Sequence, residues 1–276
     1  MIFLELNPPS SPDLGELIEI VRELDSFDAF VVTELAMRRI NDSWMDTLYT
    51  AIKLREATGK RLIPVLTSRE VTIRGVTART LMAINGGIEE MLIVRGDESP
   101  YGGAFGMSVS EILRRIRSIY EKHSKEVTLY VAANPMANLE DELRRAAEKL
   151  SAGADAIITQ PTLDFDRLKS FINGLRSMGF KNSVIGSIMI LDSLIAAERM
   201  EERCGVVFPN WFKKELSLGN WKKALIEAVR TLAGLCDGLH ISPITGREFA
   251  LELAEEGRRI LNTCSSVAEA QSDPER

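Results

Sequence analysis

Several side chains able to carry chemistry stand where short apolar runs of the chain end. The apolar run 91–94 is followed directly by Arg95, Gly96 and Asp97, and the first run of the chain has Glu5 near its end. A carboxyl group can donate or accept a proton, and a guanidinium binds anions. Further polar residues at such positions are Thr33, Thr67, Asn134, Gln160 and His240. If the runs are parallel strands, these groups converge on one rim and form one site.

Eight apolar runs predict the strands that would position these residues: 2–6, 29–33, 62–67, 91–95, 127–132, 156–159, 184–190 and 238–241. Such short apolar runs fit parallel strands buried on both faces. Eight strands alternating with helices predict an α/β fold, a single (β/α)8 TIM barrel over residues 1–262, with a polar tail at 263–276. A doubly wound open sheet is the alternative, but the turn at 7–10 lacks the usual glycine-rich fingerprint.

The composition is that of a globular protein and argues against nucleic-acid and membrane partners. The 276 residues are 45% hydrophobic and 27% charged, which is typical of a globular protein. The net charge of −6 argues against a nucleic-acid partner. No stretch has transmembrane length and no basic leader precedes the first run, so we expect no membrane partner and a cytoplasmic location. Cys204, Cys236 and Cys264 have no Cys-x-x-Cys spacing, so neither a metal site nor a disulfide framework is expected.

An ordered set of short motifs resembles the methylenetetrahydrofolate reductase family, in its short form with the catalytic barrel only. The family's opening Glu-x-x-Pro-Pro is similar to residues 5–9, and its Gly-Asp after the fourth strand is similar to residues 96–97. Further matching segments follow in the same order: 132–135, Lys149, 158–160, 208–211 and 238–240. No single motif is specific, but together they cover most of the chain.

The resemblance implies an oxidoreductase of one-carbon metabolism and methionine biosynthesis. Such a flavoprotein takes hydride from NADH or NADPH onto FAD, with FMN as an alternative, and reduces methylenetetrahydrofolate or a related reduced pterin to the methyl form. By position, Glu5 is the general acid that protonates the bridging amine and opens the ring to an iminium. Its pKa is expected to be raised in a dry pocket. Asp97 would set the electrostatics beside the flavin and the folate.

The resemblance also assigns binding residues. Gln160 and Leu194 align with substrate-contacting positions, and Arg95 and Lys149 suit a pyrophosphate. The positions that align with cofactor-binding residues are Thr33, Arg95, Gly96, Asp97, Ala132, Asn134, Glu142 and Lys149. The expected partners are a reduced folate or pterin and either a homo-oligomer or a partner subunit.

Departures from the family pattern keep alternatives open. Val65 replaces a frequent histidine, Asn134 a tyrosine, Glu142 an aspartate and Ile190 a proline. These changes leave open whether the flavin is FAD, FMN or absent, and which pterin is used. One alternative is a flavin-free reductase with direct hydride transfer from NAD(P)H. Another is a non-catalytic, pterin-binding or accessory barrel subunit, although the presence of Glu5, Asp97 and Gln160 together counts against it.

Overall fold

The computed structural model describes residues 1–34, 45–69, 71–96 and 106–272, with side chains up to residue 264. Strands and helices alternate along the chain. The strands are β1 Ile2–Leu6, β2 Ala29–Val32, β3 Leu62–Thr67, β4 Glu90–Val94, β5 Thr128–Ala133, β6 Ala156–Thr159, β7 Val184–Ile190 and β8 Gly238–Pro243. The helices are α1 Gly15–Glu23, α2 Thr47–Thr58, α3 Ile73–Asn85, α4 Val109–Lys122, α5 Leu139–Ser151, α6 Phe165–Ser177, α7 Leu194–Cys204, α8 Asn210–Ser217, α9 Trp221–Leu235 and α10 Ala250–Ser272.

The eight strands form a closed barrel in chain order, and β8 pairs with β1. All neighbouring strands are parallel, which confirms the predicted (β/α)8 barrel. Because all strands run the same way, their carboxyl ends share one rim, as predicted from the sequence. In the described part of the chain, no helix is long and apolar enough to cross a membrane.

Alternating side chains divide the apolar core into two parts. Along β1, Ile2, Leu4 and Leu6 pack in the large cluster that includes residues of the surrounding helices. Phe3 lies in a smaller cluster that fills the barrel interior together with residues such as Val31. Since successive strand residues point to opposite faces, Glu5 lies on the interior face with Phe3. The pleat of β1 therefore aims this carboxyl into the barrel near its carboxyl-terminal rim.

Two helices differ at one end from what the sequence predicts. The segment 11–13, Ser-Pro-Asp, predicts a first helix that opens there and runs to about residue 24, but α1 begins at Gly15. The Oδ1 atom of Asp13 accepts a hydrogen bond from the N–H of Gly15 at 2.8 Å, so the preceding residues form a turn. At the other end of the chain, α10 continues through Ser272, into the segment predicted as a polar tail.

Three aspartates at the opposite, amino-terminal rim tie neighbouring strands together. Each aspartate immediately precedes one strand. Its carboxylate accepts a hydrogen bond, at 2.7–2.8 Å, from a backbone N–H near the start of the neighbouring strand that comes earlier in the chain. The carboxylate also binds an arginine of a surrounding helix. We call these units the aspartate clamps: Asp28 with Ile2 and Arg258, Asp155 with Leu129 and Arg117, and Asp237 with Val184 and Arg176. The aspartate clamps therefore stabilise the amino-terminal end of the barrel, opposite the rim that carries the predicted site.

Candidate active site

Glu5 is held at the carboxyl-terminal rim by strand β8. Its Oε1 atom accepts a hydrogen bond of 2.8 Å from the hydroxyl of Ser242. Its Oε2 atom lies 3.6 Å from Nε2 of His240. Only 22% of the Glu5 side chain and 8% of the His240 side chain are exposed. The carboxyl therefore lies in a largely dry environment, with one oxygen fixed by a hydroxyl.

The contact continues through buried polar side chains on β7 and β6. The Nδ1 atom of His240 and the hydroxyl of Ser187 are 3.1 Å apart, on residues that are direct partners in the β7–β8 pairing. The N–H of Ser187 in turn donates to the hydroxyl oxygen of Thr159 at 3.1 Å. Ser187, His240, Ser242 and Thr159 are all buried. Glu5 is thus the outer member of a polar chain that crosses four strands.

Burial determines the protonation state of the two titratable residues in this polar chain, Glu5 and His240. It raises the pKa of the Glu5 carboxyl, and the hydrogen bond from Ser242 opposes this shift by favouring the anion. Burial also lowers the pKa of His240 to about 4, because a desolvated imidazole disfavours its charged form. The imidazole is therefore neutral at pH 7. A carboxyl whose pKa is raised can hold a proton and deliver it, as the predicted general acid requires.

A second polar cluster lies at the end of β5, on the far side of the barrel from β1. The ammonium of Lys149 donates to the backbone oxygen of Ala132 at 2.6 Å. The buried carboxylate of Glu142 accepts from the N–H of Asn134 at 2.9 Å and pairs with Arg145 at 3.0 Å. Four residues predicted to bind a cofactor are thus brought together by α5. In this structure, Glu142 and Lys149 tie their helix to the strand end.

The chemistry of the donors suits an anionic cofactor between β4 and β5. Arg95 follows β4 and is exposed, and its guanidinium makes no hydrogen bond or ion pair with the described residues. Burial lowers the pKa of Lys149, and the nearby Glu142 carboxylate opposes that shift. The ammonium has donors beyond the one given to Ala132. Two cations at the ends of adjacent strands fit the diphosphate of a dinucleotide.

The ends of β2, β3 and β4 form the adjoining part of the rim. The N–H of Thr33 donates to the oxygen of Leu6 at 2.9 Å, which fixes Thr33 beside β1. The carboxylate of Glu34 accepts from the N–H of Thr67 at 2.9 Å. Gly96 has a φ of +79°, and a Cβ added to it would lie 2.9 Å from the Cβ of Thr67. The backbone after β4 therefore passes this threonine at a distance that only glycine allows.

Gly96→Ala should destabilise the protein more than Gly59→Ala. Both glycines have positive φ, 79° and 69°, so alanine costs backbone strain of about 1 kcal/mol at either position. No atom lies within 4 Å of a Cβ added to Gly59, whereas Thr67 crowds Gly96. We expect an additional loss of about 1–3 kcal/mol for Gly96→Ala from overpacking. Urea denaturation of both variants measures the difference, and equal losses would contradict the close approach.

The remaining predicted residues are placed individually. Gln160 is exposed just beyond β6, and its N–H donates to the oxygen of Ala133 at 2.7 Å. Leu194 is the first residue of α7 and packs partly buried against the large core cluster. Asp97 lies outside the described residues. The substrate-binding roles of Gln160 and Leu194 and the electrostatic role of Asp97 stay predictions. Within the described ranges, no group of three or more His, Cys, Asp or Glu side chains is arranged to hold a metal ion.

Ser242 and Ser187 were not predicted from the sequence, and His240 was noted there without a role. The sequence does carry a signal for His240 and Ser242, because they are two residues apart on one strand and so share a face. Ser187 is a hydroxyl within the apolar strand Val184–Ile190. Its contact with His240 depends on the register between β7 and β8, which the sequence does not display.

Known sequences that resemble this chain carry one family name. The family model described as methylenetetrahydrofolate reductase matches residues 2–234. The 5,10-methylenetetrahydrofolate reductase of Salmonella typhimurium is 24% identical over 173 residues, which are 62% of this chain and 58% of that protein. Methylenetetrahydrofolate reductase 2 of Schizosaccharomyces pombe is 30% identical over 149 residues, 48% of this chain and 23% of that protein. The matches thus span less than two thirds of the length of these relatives.

Solved structures support the fold. A protein from Clostridium thermocellum, described as binding two copies of 5-methyl-5,6,7,8-tetrahydrofolic acid, superposes with a TM-score of 0.73 at 16% identity. The superposition covers 94% of this chain and 96% of that one. At such low identity, the likeness establishes the shared barrel architecture.

Proposed function

Because this chain belongs to the methylenetetrahydrofolate reductase family, we propose that it reduces the methylene group of a reduced folate or related pterin to a methyl group, with NADH or NADPH as the hydride source. The observation that carries the proposal is the state of Glu5. Its carboxyl lies inside the rim, fixed by Ser242, with its pKa raised by burial. A proton-holding carboxyl at this rim suits the acid step that such a reduction needs.

The residues of the chain have distinct tasks in the proposed reaction. Glu5 delivers its proton to the bridging amine of the pterin, so that the five-membered ring opens to a cationic iminium ready to accept hydride. Ser242 then stabilises the carboxylate left on Glu5 by its hydrogen bond. Gln160 hydrogen-bonds the pterin with an amide that both donates and accepts. Asp97 supplies negative charge that favours the cation.

We propose a flavin, FAD or alternatively FMN, as the cofactor. When bound, such a flavin would supply hydride transfer between the nicotinamide and the pterin. Arg95 and Lys149 are the cations that would hold the phosphates, and Thr33, Gly96, Ala132 and Asn134 line the same rim. The support is the donor chemistry at the ends of β4 and β5.

One observation favours a second candidate, a reductase that transfers hydride directly from NAD(P)H to the pterin without flavin. The carboxylate of Glu142 accepts from the N–H of Asn134, and the ammonium of Lys149 donates to the oxygen of Ala132. Both side chains therefore have hydrogen-bond partners without a ligand. In that case Arg95 serves the phosphates of the nicotinamide dinucleotide. Glu5 keeps the same acid role in both candidates.

The purified protein distinguishes the two candidates. With the leading candidate, it should be yellow, show the absorbance bands of oxidised flavin, and lose them when NADH or NADPH is added. Methylenetetrahydrofolate should then restore the bands, because it reoxidises the cofactor. Colourless protein that binds no added FAD or FMN but still oxidises NAD(P)H with the pterin would support direct transfer. No turnover with a folate or a methanopterin-type pterin would refute the proposed function.

A further inference from the structure

One buried atom at the rim has no hydrogen-bond partner among the described residues, namely Nε2 of His240. The nearest carboxylate oxygen is Oε2 of Glu5, at 3.6 Å, which is beyond hydrogen-bonding distance. Leaving a buried polar atom unpaired is unfavourable. Since the ring faces the predicted acid, the pairing of this nitrogen bears directly on the proton of Glu5.

The protons of the cluster can be assigned so that both titratable side chains, Glu5 and His240, are neutral. Ser242 donates to Oε1 of Glu5, which leaves Oε2 to carry the acidic proton. If Nδ1 of His240 carries its hydrogen and donates to the hydroxyl oxygen of Ser187, then Nε2 has a free lone pair. That lone pair faces the Oε2–H group. The opposite tautomer would pair with an ionised Glu5 and would bury a net negative charge, which is costly in a dry site.

We propose that His240 is a positioning residue. A small rotation of the Glu5 carboxyl shortens the 3.6 Å separation, and the neutral Nε2 then accepts a hydrogen bond from the Oε2–H of Glu5 and so stores the proton until substrate arrives. Ser187 fixes the required tautomer by accepting from Nδ1–H. The inference rests on the proposed function, because it assigns a task only if Glu5 is the acid. In the transfer, the O–H bond of Glu5 breaks and an N–H bond forms on the substrate amine. The imidazole stays neutral, and Glu5 takes up a proton from solvent after the product leaves.

The surroundings support neutral partners. The polar side chains next to Glu5 and His240 are Ser242 on β8 and Ser187 on β7, with Thr159 of β6 behind, and none of these three carries a charge. The direct strand partner of Glu5 on β2 is Val31 and that of His240 on β1 is Phe3, and both are apolar. Glu5 and His240 are the titratable groups of the cluster. Burial raises the pKa of the first and lowers that of the second to about 4, so both are driven toward the uncharged forms.

The tautomer can be observed directly by nitrogen NMR with histidine labelled at both ring nitrogens. The chain has only two histidines, and the second, His123, is exposed at the end of α4 and can be assigned with His123→Gln. At neutral pH we expect His240 to show a protonated Nδ1 and an unprotonated Nε2, and Ser187→Ala to shift the ring toward a mixture of tautomers. A protonated Nε2 in the unmodified protein would overturn the proposal. This measurement needs no turnover, so it judges the inference even if the proposed function fails.

Kinetics supply a second test. His240→Leu removes the acceptor at similar volume, and His240→Gln keeps an amide oxygen able to accept. We expect pterin reduction to fall about 10-fold or more in the leucine variant and to recover partly in the glutamine variant. Hydrogen bonding to the neutral acid raises its pKa, so in His240→Leu the loss of rate with rising pH should begin at lower pH. A rate that falls equally at every pH, with the profile unmoved, would show a merely structural role.

Discussion

Glu5→Gln should lower the rate of methylene-pterin reduction by about 10²–10⁴-fold, because it removes the proton donor and leaves a side chain of nearly the same shape. The amide can still accept the hydrogen bond from Ser242, so the local packing is preserved. Stopped-flow measurement of the pterin half-reaction gives the rate directly. If the proposed flavin is the cofactor, its reduction by NAD(P)H involves no protonation of the pterin and should remain within a few-fold of the unmodified protein.

A matched control is Glu121→Gln in the last turn of α4, where the side chain is exposed at the amino-terminal side of the barrel, opposite the rim. It should leave both half-reactions unchanged. If Glu5→Gln slowed both half-reactions equally, Glu5 would be a structural residue and the assigned acid role would be wrong. In the unmodified protein, the pterin half-reaction should slow as pH rises through the raised pKa of Glu5, because only the protonated carboxyl can deliver a proton.

The second large effect is expected at an aspartate clamp, on stability. Arg117→Leu removes three hydrogen bonds of 2.6–2.7 Å, to the backbone oxygens of Val127 and Gly153 and to the carboxylate of Asp155. The Asp155 carboxylate would remain on the N–H of Leu129 without its cation. We expect the free energy of unfolding to fall by about 2–4 kcal/mol, since the partners left behind are partly buried. Urea denaturation measures the loss.

Arg144→Leu is the control for this stability prediction. Arg144 pairs with Asp141 and Glu148 on the surface of α5, with 62% of its side chain exposed. Such an exposed pair contributes less than about 1 kcal/mol, because solvent screens the charges. Losses of the same size in Arg117→Leu and Arg144→Leu would mean that the clamp contributes no more than a surface ion pair.

The barrel could be predicted because its signal is local and repeated. The signal consists of apolar runs, glycines after helices and polar residues at strand ends. Each of these can be recognised in the sequence without information on distant contacts. Glu5 was predictable for the same reason, since its position at the end of β1 follows from the run that contains it. The start of α1 was not, because it depends on one hydrogen bond from Gly15 to Asp13.

The inner half of the candidate site could not be read from the sequence. Ser187 and His240 are 53 residues apart, and they meet only because β7 and β8 pair in one particular register. The family resemblance predicted that Lys149 and Glu142 bind a cofactor. That both also bond the end of β5 depends on how α5 packs, and no local pattern encodes this packing.

The clamp of Asp28 gives the chain an order of assembly. Its arginine, Arg258, comes from α10, while its other contact is the N–H of Ile2. A nascent chain on the ribosome can pair β1 through β7, but it cannot join β8 to β1 until β8 emerges. Ser242, which holds Glu5, lies 237 residues after it. The acid therefore acquires its environment only after β8 has been synthesised, and a chain truncated before β8 should be both unclosed and inactive.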